Sequence, residues 1–179
     1  MTRYQSLVVI DLSSYGSALA IVNQFCDDQD VKCFEVSPVG SAALVILATK
    51  EPMAAQVLKV EITSQWGQSV ICMAVIEDAH VDLLKTYLSQ TSVSTSQNIL
   101  VLESPHISEA MAAADQLLKS SISLLDFRVV RTFPSNAILT ATLNRLEALI
   151  DFSEKNKNFK STLIPNMTPV LKNYFDIVQ

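Results

Sequence analysis

The sequence predicts an α/β (α+β) chain built from two tandem βαββαβ(α) units of the ferredoxin-like kind. The first observation is a repeat. Residues 7–29 set against 99–121 bring LVVID onto ILVLE and SALAIVNQFC onto EAMAAADQLL, so that Val9 meets Val101, Ala18 meets Ala110, Ala20 meets Ala112 and Gln24 meets Gln116. One inserted residue later Phe34 meets Phe127, Val36 meets Val129 and Ala48-Thr49 meets Ala141-Thr142, and Leu84-Lys85-Thr86-Tyr87 lies over Leu171-Lys172-Asn173-Tyr174. Order and spacing persist along the whole chain, which is a statement about architecture before chemistry. The second observation is that each half alternates strand-length apolar runs with helix-periodic segments. The third is a polar Ser/Thr stretch at the joint, which divides a first unit (1–91) from a second (98–179) with 92–97 as linker.

The elements follow in order. Residues 6–12 form an apolar, β-branched run and hence a strand. Ser13 or Ser14 caps a helix over 17–26, whose apolar residues at 18, 19, 21, 22 and 25 have helical spacing. Residues 31–37 read as a strand, 38–41 as a turn and 42–49 as a strand apolar on both faces. Glu51-Pro52 opens a helix to about 62, with Pro in its first turn. A strand over 69–76 and a last helix from 78 or 79 to 88 complete the unit. The second unit repeats this: strand 98–103, helix 107–120, strand 124–131, turn 132–135, strand 136–142, helix 143–154, a weak strand near 161–164, and a helix to 177 capped by Thr168. A strand such as 42–48 needs cover on both faces, from the other half or from another subunit.

With 179 residues, each repeat is a small unit and the whole buries roughly 70% of its unfolded surface. Apolar residues make up 49% and charged ones 17%, more apolar surface than one small core needs, which points to contact with other subunits. The longest apolar run, 42–48, is far short of the roughly 20 residues that span a bilayer, and the N-terminus lacks a basic-then-apolar leader pattern. The expectation is a cytoplasmic protein with no membrane partner. Net charge is −5, carried by residues 1–91, while 92–179 are neutral; no basic stripe exists, which argues against nucleic acid. Cys26, Cys33 and Cys72 fit neither a disulfide framework nor a zinc spacing, so buried reduced thiols are the default.

Residues 99–152 resemble the bacterial microcompartment (BMC) shell domain. In that family an apolar strand ending in Glu is followed by an Ala-rich helix, a strand, a short turn, a strand and a second Ala-rich helix. Glu103, Ala110, Ala112, Ala113, Ala114, Asp115 and Lys119 fall on that pattern in order, and Asp11, Gly16, Ala18, Ala20 and Val39-Gly40-Ser41 make the first half a more divergent copy. The resemblance implies a non-enzymatic shell protein without cofactor, its tandem domains forming a homotrimer that imitates a hexamer and partners other shell-type proteins. It implies that the turns Pro38, Val39, Gly40, Ser41 and Thr132, Phe133, Pro134, Ser135, Asn136 line a central pore. It places Lys119 at the tile edge, where Asp27 holds the matching place in the first half. The pattern also departs from the family: one turn has a single Gly, and the other offers Phe133-Pro134, which would constrict a pore.

Bland readings stand beside these. Lys119 at a helix end is favoured by the dipole alone. His80 and His106 have no partners spaced for a metal or acid–base site and read as surface or capping residues. The Asp27-Asp28-Gln29-Asp30 run lacks the Gly and distal Glu of a calcium loop, so no metal site is expected. Trp66 reads as a buried anchor, and the matched Tyr87 and Tyr174 as a repeated packing role. No P-loop, GxGxxG, GxSxG or HExxH is present, and no catalytic residue is assigned. The alternative function is an ACT-like regulatory protein binding a small molecule between its units; an adaptor docking through apolar surface is a third.

Overall fold

A computed structural model describes the chain except residues 1–3, 27–29, 91–95, 133–134 and 179. Its elements are β1 (Ser6–Leu12), α1 (Tyr15–Phe25), β2 (Val31–Val39), β3 (Ala42–Thr49), α2 (Pro52–Trp66), β4 (Val70–Ile76) and α3 (Leu83–Tyr87). The same order then recurs as β5 (Asn98–Ser104), α4 (Ile107–Lys119), β6 (Ser123–Thr132), β7 (Ser135–Leu143), α5 (Leu146–Lys155), β8 (Lys160–Ile164) and α6 (Pro169–Val178). Two four-stranded antiparallel sheets result, ordered β2-β3-β1-β4 and β6-β7-β5-β8. The βαββαβ unit is therefore present twice, as the expected α+β fold requires. The chain forms two compact units, one of Met1–Ala79 with His106–Ala112, the other of His80–Pro105 with Ala113–Gln179. No helix among the described residues is long and apolar enough to cross a membrane.

In the first unit Val8, Ile10 and Leu12 of β1 pack with Val45 and Leu47 of β3 against Ala18 and Ile21 of α1 and Ala55, Leu58 and Ile62 of α2. Each of the Val, Leu and Ile side chains contributes about 1.5–3 kcal/mol by leaving water. The alternate residues Leu7, Val9, Leu44 and Ile46 are buried too, so both faces of the sheet are covered. Ser14 Oγ accepts from the N–H of Ser17 and caps α1, and Pro52 occupies the first turn of α2. In the second unit Asn98 pins the start of β5: its amide donates to the carbonyls of Leu143 and Asn144, and its side-chain oxygen accepts from Asn166 N–H. Thr168 Oγ accepts from Leu171 N–H at the start of α6.

Several boundaries move for physical reasons. Pro38 and Val39 are not turn residues: they pair with Ala43 and Ala42, because β2 is an edge strand where a missing N–H is tolerated. The turn is Gly40-Ser41, with Gly40 at φ 61°, as the first central residue of a tight hairpin requires. Likewise β6 reaches Thr132 and β7 begins at Ser135, while Phe133 and Pro134 lie outside the described residues. The helix expected from 78 shrinks to Leu83–Tyr87, since Asp78 adopts φ 46°. Leu143 ends β7 rather than opening a helix, and α2 runs on to Trp66.

The repeat is also out of register beyond the first strand. With Leu7 and Ile99 equivalent, their partners across the ladder are Ala48 and Thr142, not Ala48 and Ala141. On the edge strands the counterpart of Val36 becomes Phe127, and the irregularity at Phe34 matches one at Leu125. The difference is taken up at the hairpin. The pair Pro38–Ala43 encloses four residues, whereas its counterpart Val129–Ala137 encloses seven.

Candidate functional site

The assembly candidates are a pair of hairpins and a helix end. In the first unit Gly40-Ser41 forms the tip, with Pro38 and Val39 just inside the ladder. In the second, the Asn136 amide reaches back to the Pro105 carbonyl at 2.6 Å and ties the root of its longer hairpin to the end of β5. Asp27 lies outside the described residues. Lys119 is the last residue of α4, and its ammonium meets the buried Asp115 carboxylate at 2.6 Å, one turn back on the same helix face. The other oxygen of Asp115 accepts from His80 N–H at 2.7 Å. Lys119 and Asp151 line an open groove of about 610 Å³ with Gln116, Phe152 and Lys155.

A second constellation escaped the sequence reading. Asp11 is buried near the end of β1, and both its oxygens accept from the start of α4: Oδ1 from Ile107 N–H at 3.1 Å, Oδ2 from Ser108 N–H at 2.9 Å and from the Ser108 hydroxyl. The reason is local. Helix α1 carries its own Ser14 cap, but the aligned position before α4 is His106, which offers no such oxygen. A carboxylate from a neighbouring strand fills the role, and the helix dipole favours its charge there.

Cys72 of β4 stands directly across the ladder from Asp11, and His106 precedes α4. The ligating atoms of Asp11, Cys72 and His106 lie within 4.8 Å of one another. Partial burial pushes the Cys72 thiol up; a hydrogen bond with Ser108 pulls it down, and the charges of Glu109 and Asp11 push it up again. The expectation that His106 lacks converging partners is thus corrected: residues 11, 72 and 106 are remote in sequence and neighbours only in the fold. The cysteine expectation also changes. Cys33 is exposed on edge strand β2, and Cys26 and Cys72 are half-buried.

Other residues take plainer roles. Trp66 is half-buried and donates its indole N–H to Gln24 Oε1 at 3.1 Å. Tyr87 packs edge-on against Phe127 at 5.3 Å, whereas Tyr174 packs on its neighbour Phe175 and hydrogen-bonds Arg128, so the matched tyrosines do not share one role.

Nearly the whole chain can be laid over a microcompartment protein from Desulfitobacterium hafniense, with TM-score 0.74, 15% identity, and coverage of 96% of this chain and 99% of the other. The fold is that of a microcompartment protein. The microcompartment-protein fold extends over both units, as the near-complete coverage of each chain requires. A putative glycine cleavage system transcriptional repressor (15% identity; 90% of this chain, 98% of the other) and a mutant chlorite dismutase from Candidatus Nitrospira defluvii (10% identity; 98% and 97%) reach TM-scores of only 0.31 and 0.30, too low to bear on function. No family model and no curated protein matches the sequence.

Proposed function

We propose that this chain is a non-enzymatic assembly protein of the microcompartment-shell type, which closes into a homotrimer of tandem units with pseudo-sixfold symmetry. The observation that carries it is the overlay of both units, end to end, on a microcompartment protein. Two features of the surface support it. On α2, Met53, Val57 and Val60 form an exposed apolar stripe at helical spacing, and Tyr15 and Leu19 of α1 are exposed as well. In addition, the first repeat is acidic and the second neutral, so head-to-tail closure avoids setting two acidic edges against each other.

In this reading the hairpin tips at Gly40-Ser41 and Thr132–Asn136 face the axis, with Phe133 narrowing it, and Asp27 and Lys119 lie where neighbouring rings meet. The protein's partners are then its own copies and other shell-type proteins, in a cytoplasmic microcompartment. Light scattering tests the ring first: a particle of three 19.7 kDa chains supports it, and a monomer at micromolar concentration sinks it. Electron microscopy of the same sample then reads whether the rings enclose an axis lined by the hairpins.

A further inference from the structure

We propose that Asp11, Cys72 and His106 form a binding site for a divalent transition-metal ion of the zinc class. The three donors are chemically distinct and come from three segments: a strand, its ladder neighbour, and the turn into α4. Carboxylate, thiolate and imidazole together are the donor set of a borderline-soft ion, not of magnesium or calcium. Their ligating atoms already lie within 4.8 Å of one another. Zinc ligands at about 2.0–2.3 Å in a tetrahedron sit roughly 3.3–3.8 Å apart, so closing on the ion needs side-chain adjustments of an ångström or less.

The electrostatics are consistent with this. The N-terminus of α4 by itself repels a cation. Asp11 and the Cys72 thiolate bring two negative charges, which balance the ion, and Glu109 lies close enough to Cys72 to act on its thiol. The thiol proton is released to solvent as the sulfur binds. The N–H groups of Ile107 and Ser108 bond the Asp11 oxygens and hold the carboxylate in place, as hydrogen-bonded metal carboxylates are held. Oδ2 accepts twice, from the N–H and the hydroxyl of Ser108, whereas Oδ1 accepts from Ile107 N–H and keeps a lone pair for an ion. Three protein ligands leave one position for water.

The second unit supplies the contrast. The pair equivalent to Asp11–Cys72 is Glu103–Lys160, also directly across its ladder, and there a lysine ammonium meets the carboxylate at 2.9 Å. One unit neutralises its acid with a fixed cation. The other sets a thiol and an imidazole beside its acid, which together make a donor set for an ion.

The test uses the full chain, stripped by chelator and titrated with Co²⁺. One equivalent should bind with thiolate-to-cobalt charge-transfer absorption, and Zn²⁺ should displace it and raise the melting temperature. Cys72→Ser should abolish the absorption, and His106→Gln should weaken binding at least about tenfold, with the circular dichroism of both variants unchanged. The double variant Cys26→Ser/Cys33→Ser should bind as the parent does. Absence of the absorption in the parent overturns the site. So does its survival in Cys72→Ser, or undiminished affinity in His106→Gln. Neither Cys72→Ser nor His106→Gln removes the Asp11 cap of α4, so loss of metal and loss of fold are read separately.

Discussion

Asp11 in the first unit and Glu103 in the second occupy the same place near the end of the same strand, yet their surroundings are opposed. Asp11 is buried, bonded to the backbone of α4 and opposite Cys72; Glu103 is partly exposed and paired with Lys160, whose side chain is 74% exposed. A duplicated fold therefore preserves a carboxylate while changing what it does. In one copy it terminates a helix from the other repeat, and in the other it forms a surface ion pair. The hairpins diverge in the same way, four residues against seven between equivalent pairs. Ladder positions deep in the sheet stay alike because packing holds them, whereas ends and edges are free to specialise.

The largest effects should show where the units do not differ. Ile10 and Leu102 are equivalent and almost fully buried, so Ile10→Ala and Leu102→Ala should each cost about 2–5 kcal/mol in chemical denaturation. A large inequality between them would mean that the two cores are not packed alike. Next comes the acid itself, measured with chelator present. Asp11→Ala removes a charged acceptor from two N–H groups and a hydroxyl, and should cost about 2–3 kcal/mol. Glu103→Gln should cost less than about 1 kcal/mol, because its partner is solvated. Equal costs would break the contrast between the two acids.

The hairpins give a smaller effect. Gly40→Ala meets no steric obstacle but must hold φ 61°, and should cost about 1 kcal/mol, with Gly40→Asn costing less. The last helices give the smallest. The Lys85 ammonium, by its hydrogen bond and charge, holds Asp82 below the usual carboxylate range, while α6 has Pro169 at the matching position. Because the folded value is the lower one, this contribution is complete above the ordinary carboxylate range. It fades as pH falls through the lowered value. Asp82→Asn should shift the melting temperature by less than about 1 °C at neutral pH, and by nothing in strong acid.

Much of the fold was legible because its signals are local. The run 6–12 reads as a strand, the spacing at 18, 21, 22 and 25 reads as a helix, and Ser14, Pro52 and Thr168 mark starts that the structure keeps. The register of the repeat was not legible. Matching Phe34 with Phe127 follows side-chain likeness, whereas the ladder makes Val36 the counterpart of Phe127 and absorbs the difference in the hairpin. Of the site, the hairpin residues could be named from the turn signal at Gly40. The Asp11–Cys72–His106 cluster could not.

By itself the sequence determined that this protein is one βαββαβ pattern written twice, since periodicity, caps and turn residues act over a few residues at a time. Only the tertiary structure decided that a strand of the first repeat caps a helix of the second, and that a carboxylate, a thiol and an imidazole meet there. Ladder pairing and packing bring residues 11, 72 and 106 together across separations that no local signal spans.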